Sequence, residues 1–218
     1  MQSARRRLVP GLALGLLIGL LPLGAAAGER PRLAATVGDV PSALLGASHR
    51  AGCPVPPGRL RLITMNHWGF DGRVHRGELV VHEDAVRPVL AVFGAAFDDR
   101  FPIRRMRAMS HYDGDDRRAM ADDNTSAFNC RRVTGDEDHL SRHSYGDAVD
   151  INPLENPYVD RSGTVHPPGS RAALDREPPA EGMLVAGDAV TRAIEEAGWE
   201  WGGAWSPPDY QHFSSDGT

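Results

Sequence analysis

Asp150 lies inside a short apolar run, Ala148-Val149-Asp150-Ile151, within the stretch HSYGDAVDINP at 143–153. A carboxylate buried in an apolar strand is tolerated when it is paired or coordinates a cation, because its desolvation is otherwise too costly. Any fold of this chain must therefore bring a compensating group to that one side chain. His143 precedes it on the loop that feeds the strand, Gly146 permits a sharp turn between the two, and Asn152-Pro153 ends the run.

A metal ion is the simplest compensation. Catalytic zinc takes three protein ligands and leaves a fourth place for water, so His143 and Asp150 need a third partner. His212 in the segment Asp-Tyr-Gln-His-Phe (209–213) is the candidate, on a strand expected to neighbour Asp150. Asp209, three residues earlier, is then close enough to act as general base. His139 and His166 compete as ligands, but both sit in polar, turn-rich stretches. Asp150 as a structural acceptor for loop amides is the alternative to the metal.

The chain has 218 residues, 41% of them hydrophobic, which fits one domain plus leader or tail segments. Its net charge of -5 and the lack of a basic stripe give no electrostatic footprint for nucleic acid. Every cationic side chain is arginine; the absence of lysine removes Ser-x-x-Lys and Schiff-base chemistry. Arg5, Arg6 and Arg7 precede an apolar run from Leu8 to Leu23 and then Gly24-Ala25-Ala26-Ala27, the layout of a secretory signal cut near Ala27. An uncleaved membrane anchor is the alternative. Export implies an oxidising compartment, where the two cysteines, Cys53 and Cys130, are expected to pair; two zinc-ligating thiolates are disfavoured because neither lies in a CxxC pair.

Residues 28–58 read as an arm or linker and 59–218 as the catalytic domain. Strands are expected at 60–70, 77–82, 101–112 and around Ala148–Asn152. Helices are expected from Asp84 to about Asp99, with Asp84 as N-cap, and from Asp188 to about Gly198. Residues 113–142 read as a long polar loop, of the kind that is usually functional or disordered. Helices and strands mix without βαβ alternation, so the fold class is α+β.

The motif Ser141-x-His143-x-x-Gly146-x-Ala148-x-Asp150, with Asn-Pro-Tyr at 156–158 and Asp209-x-x-His212, resembles the signature of the VanY-like zinc peptidases. That family includes D-alanyl-D-alanine carboxypeptidases and L-alanyl-D-glutamate endopeptidases. WGFDG (68–72), FPI (101–103) and NTSAFNCR (124–131) extend the resemblance over roughly 50–215. It implies a small antiparallel sheet with flanking helices, of the hedgehog and D-Ala-D-Ala-peptidase type. It also implies Zn2+ held by His143, Asp150 and His212, and Asp209 as catalytic acid/base.

The family's catalytic arginine, which binds the substrate and the developing oxyanion, corresponds best to Arg131, although the usual position falls at Asn129, and Ser126 and Ser141 would lie along the substrate. The implied protein is a monomer, secreted or cell-wall associated. It hydrolyses peptidoglycan stem peptides, with no nucleic-acid partner and no membrane span after signal cleavage. The competing expectation is a non-catalytic metal-containing wall-binding module of the same fold. Trp199, Trp201 and Trp205 are candidates for lining a groove, and 113–142 for a lid.

Overall fold

The structure, a computed structural model, describes residues 31–134 and 136–217; the expected leader at 1–27 lies outside the described residues. The first sheet is β1 (Ala35–Asp39), β2 (Leu60–Trp68) and β3 (Val74–His82), antiparallel in that order. The segment read as an arm thus contributes an edge strand, and Arg32–Thr218 form one compact unit. Between β1 and β2 lies one short helix, α1 (Ser42–Leu45). Side chains alternate across a strand, and in β2 and β3 Ile63, Met65, Leu79 and Val81 turn to one apolar cluster while Leu60 and Val80 join a second.

Helix α2 (Val86–Asp98) covers the first cluster with Val89, Val92, Phe93 and Ala96, at helical spacing. Its start differs from expectation. A 3-10 turn over Glu83–Ala85 precedes it, capped by the His82 ring, which accepts from the Asp84 amide at 3.2 Å. The Asp84 carboxylate is not the cap; it pairs with Arg59 at 3.3 Å.

Residues 101–112 are not one strand. β4 (Arg105–Met106) pairs parallel to β5 (Asn124–Thr125), Pro102 makes one isolated bridge to Trp68, and a 3-10 turn follows at Met109–Tyr112. The reason is that side-chain amides take the ladder's place: Arg107 N–H donates to Asn124 Oδ1 at 2.9 Å, Asn124 Nδ2 donates back to the Arg107 carbonyl at 3.0 Å, and Arg104 N–H donates to Asn152 Oδ1 at 3.2 Å. The stretch 113–142 also carries structure: α3 (Asp116–Ala121), then β5, and a hairpin of β6 (Arg132–Val133) and β7 (Asp136–Leu140).

The chain continues through β8 (Ala148–Asp150), the small pair β9 (Tyr158–Val159) and β10 (Val165–His166), and α4 (Ala189–Glu196). Asp188 caps α4 by accepting from Thr191 N–H at 2.7 Å, and Gly198, at φ +77°, turns the chain away beyond it. β11 (Glu200–Trp201) and β12 (His212–Ser214) complete a second antiparallel sheet in the order β11-β12-β8. The fold is α+β, with α2 and α4 packed on the common core. Among the described residues no helix is long and apolar enough to cross a membrane. Cys53 and Cys130 form a disulfide, their Cα atoms 5.8 Å apart, which ties the segment after α1 to the chain entering the site.

Candidate metal centre

The alternation of β8 explains the apolar surroundings of Asp150. Val149 and Ile151 enter the core, and Asp150 projects to the other face of the sheet. His212 stands directly opposite Asp150 in the β12–β8 register, and directly opposed residues on antiparallel strands share a face, their Cβ atoms about 5 Å apart. Asp150 is pinned from its other side too: Ser126 N–H donates to the Asp150 carbonyl at 3.0 Å, and Asp150 N–H donates to the Ser126 carbonyl at 2.9 Å.

His143 arrives from a 3-10 turn over Arg142–Tyr145. Ser141 Oγ caps that turn by accepting the His143 N–H at 3.3 Å, and Gly146, at φ +74°, ends it. A Cβ at position 146 would stand 2.7 Å from the His82 backbone nitrogen, which donates to the Gly146 carbonyl at 2.7 Å. Only glycine suits both the angle and the approach.

The three side chains converge. His143 Nε2 lies 3.1 Å from Asp150 Oδ2, His212 Nδ1 lies 3.0 Å from Asp150 Oδ1, and the two ring nitrogens are 3.2 Å apart. All three residues are buried, and their ligand atoms lie within 4.8 Å of one another. His143 Nδ1 is 2.6 Å from the Ala127 carbonyl, which only accepts, so that nitrogen carries the proton and Nε2 presents a lone pair to the cluster. Lone pairs from two imidazoles and a buried carboxylate meeting at one point suit a cation. The site therefore fits a divalent metal, and the nitrogen, nitrogen, oxygen donor set is one zinc accepts.

The three buried groups also compensate one another's charge. Burial opposes ionisation of Asp150, but the His143 and His212 rings outweigh it and hold the carboxyl well below its usual range. Burial likewise opposes a charge on His143, and the Asp150 carboxylate reverses this and raises it. On Asp209 the balance falls the other way. Its Oδ1 is sealed without a hydrogen-bond partner, and burial pushes its carboxyl up to about 7, the His212 ring opposing and the Asp150 charge adding. A carboxyl poised there can take and return a proton near neutral pH. The His212 N–H donates to the Asp209 carbonyl at 3.3 Å, so ligand and acid share one turn of chain.

These groups open onto a cleft of about 800 Å³, walled by the β6–β7 hairpin on one side and the β9 and 205–211 segments on the other. The stretch read as a possible lid thus forms a wall of the cleft. Arg131 lines it, but its guanidinium is held by Asp116 at 2.9 Å and by the Arg132 carbonyl at 3.0 Å. Asp116, which also accepts from the Thr134 hydroxyl at 2.8 Å, was not legible as a site residue, because α3 brings it there from fifteen positions away in sequence. Ser141 lines the cleft as well as capping the turn; Ser126 is buried, and its backbone supports Asp150.

Of the three tryptophans, Trp205 lines the cleft, its ring 5.7 Å from His212, whereas Trp199 packs on Phe213 in the core and Trp201 donates to the Tyr210 carbonyl at 2.8 Å. His139 and His166 are each bound to a neighbouring carboxylate, Asp136 and Asp160, at 2.9 Å, and take no part in the cluster.

Residues 134–215 match the model of a family described as D-alanyl-D-alanine carboxypeptidase. The match contains all three residues of the cluster and Asp209, and it supports the VanY-like family that the motifs resemble. It supports a peptidase. No curated protein and no solved structure matches the chain.

Proposed function

We propose that this protein is a secreted zinc peptidase that hydrolyses a peptide bond in peptidoglycan stem peptides. The convergence of His143, Asp150 and His212 on one point, with the Asp209 carboxyl and its unpartnered Oδ1 beside it, carries the reading. The two histidines and Asp150 would hold the ion. Bound there, zinc supplies Lewis acidity toward water and the substrate carbonyl.

The protein's own groups do the rest. Asp209 takes the proton of the attacking water and passes it to the leaving amine. Asp150 and the Ala127 carbonyl fix the ring orientations, and Arg131, oriented by Asp116, places positive charge along the cleft for a peptide that ends in a carboxylate. The export signal read at 1–27 and the Cys53–Cys130 disulfide support a site of action outside the cell.

The test is direct. The purified protein is analysed for zinc stoichiometry and incubated with defined muropeptides, with and without chelator, and products are read by mass spectrometry. Release of D-alanine or of a stem fragment that stops with chelator supports the reading. One zinc per chain with no bond cleaved in any wall substrate would replace it with a wall-binding module.

A further inference from the structure

Strand β9 brings a tyrosine to the base. Tyr158 and Asp209 face each other in an antiparallel bridge, fixed by Val159 N–H donating to the Pro208 carbonyl at 2.9 Å and Tyr210 N–H donating to the Pro157 carbonyl at 3.1 Å. Opposed residues in such a pair project to the same side, and both side chains line the cleft. The phenol ring is stacked on His166 at 5.5 Å, and His166 is itself anchored on Asp160 at 2.9 Å, so the ring is held in place.

The Tyr158 hydroxyl is uncommitted. Among the described residues it has no hydrogen-bond partner, and it is not sealed from the cleft. Burial first, then the charges of Asp209 and Asp160, push the phenol up to about 12, so it remains an O–H donor at neutral pH. Of the arginines lining the cleft, Arg131 has its terminal nitrogens on Asp116 and on a backbone carbonyl, Arg142 is paired with Asp147 and Asp216, and Arg161 lies 4.0 Å from Asp136. A charge that develops beside Asp209 thus meets a free neutral donor in Tyr158.

Resting on the peptidase reading above, we propose that Tyr158 is a further catalytic residue, whose hydroxyl donates a hydrogen bond to the substrate carbonyl oxygen as that oxygen gains charge. The bond strengthens between ground and transition state, so its loss falls on kcat more than on KM.

Tyr158→Phe removes the hydroxyl and keeps the ring on His166. Metal stoichiometry and Tm are expected to match the wild type. With a defined muropeptide, kcat is expected to fall by about 100-fold, the effect of losing one such donor, with KM little changed. Calorimetry with a phosphinate analogue of the stem dipeptide, a tetrahedral mimic, is expected to show correspondingly weaker binding to the variant. Wild-type kcat together with wild-type phosphinate affinity in Tyr158→Phe overturns the proposal. A wild-type protein that binds the phosphinate more tightly than the variant yet cleaves no peptide overturns the peptidase reading and leaves the Tyr158 contact standing. A wild-type protein that neither cleaves nor binds overturns both.

Discussion

His212 sits directly across the β12–β8 ladder from Asp150, so two of the three converging groups are fixed by strand register. A slip of one residue would send His212 to the core face and Phe213 to the cluster. The Phe213 side chain, fully buried against Trp199, opposes that slip. Because register survives loss of the imidazole, His212→Ala is expected to fold, with a circular dichroism spectrum like the wild type. It is expected to lose both bound metal, read by elemental analysis, and peptide hydrolysis.

Asp209 separates metal binding from chemistry. Its carboxyl lies outside the three-atom cluster and has one oxygen unpartnered. Asp209→Asn is expected to keep metal at wild-type stoichiometry and lose roughly 100- to 10,000-fold in kcat, the usual range for a positioned general base. A variant that hydrolyses at the parent rate would take the base assignment away from Asp209.

The same group sets a pH dependence. Burial raises the Asp209 carboxyl to about 7, and the group works as a base only when ionised. The rate is therefore expected to rise with pH through an acid limb near about 7. A pH profile of kcat/KM measured on metal-loaded protein checks this. A rate that is flat from pH 5 to 8 would exclude Asp209 as the titrating group.

The cluster was legible where a local rule forced it. Asp150 between Val149 and Ile151 is a strand-period signal with one polar member, and Asp188 and Gly198 mark the ends of α4 by capping chemistry. Residues 101–112 misled because their apolar alternation is satisfied by side-chain amides from Asn124 and Asn152, which no local window contains. The 113–142 stretch hid short elements such as α3, which are stabilised by tertiary packing rather than propensity. Arg131 is singled out by the sequence, but its partner Asp116 is not, since their pairing depends on how α3 docks.

Gly146 is where backbone geometry controls the cluster. It combines φ +74° with a backbone neighbour, His82 nitrogen, at 2.7 Å from any added Cβ. Gly146→Ala is expected to cost about 1–3 kcal/mol of stability from left-handed strain alone, seen as a lower Tm. The same change displaces the turn carrying His143, so weaker metal affinity is expected with it. An alanine variant with wild-type Tm would show that the turn relaxes freely.

The Cys53–Cys130 bond closes a loop with a sequence separation of 77 and anchors the chain one residue before Arg131. Removing it through paired serine substitutions is expected to lower stability by about 4 kcal/mol in the chain-entropy account. Mass spectrometry of the unreduced digest should recover a Cys53–Cys130 linked peptide. Two free thiols in the unreduced protein would contradict the pairing.

Away from the cleft, Glu155 and Asp123 meet across the Arg104 guanidinium, which lies 3.2 Å from Glu155 and 3.3 Å from Asp123. Burial, and then the Asp123 carboxylate, raise the Glu155 carboxyl from its ordinary 4.5 to about 7. The folded protein thus holds this proton more tightly than the unfolded chain does. Stability from the neutral form is fully present below pH 4.5 and is lost as pH rises toward 7, because the unfolded state binds fewer protons across that window. Glu155→Gln is neutral at every pH and still able to accept from Arg104. It is expected to flatten the dependence of Tm on pH between about 5 and 7 and to exceed the wild type above that window. Thermal unfolding at a series of pH values decides this: a variant curve parallel to the wild type would mean that Glu155 ionises in the folded protein as it does in the unfolded chain.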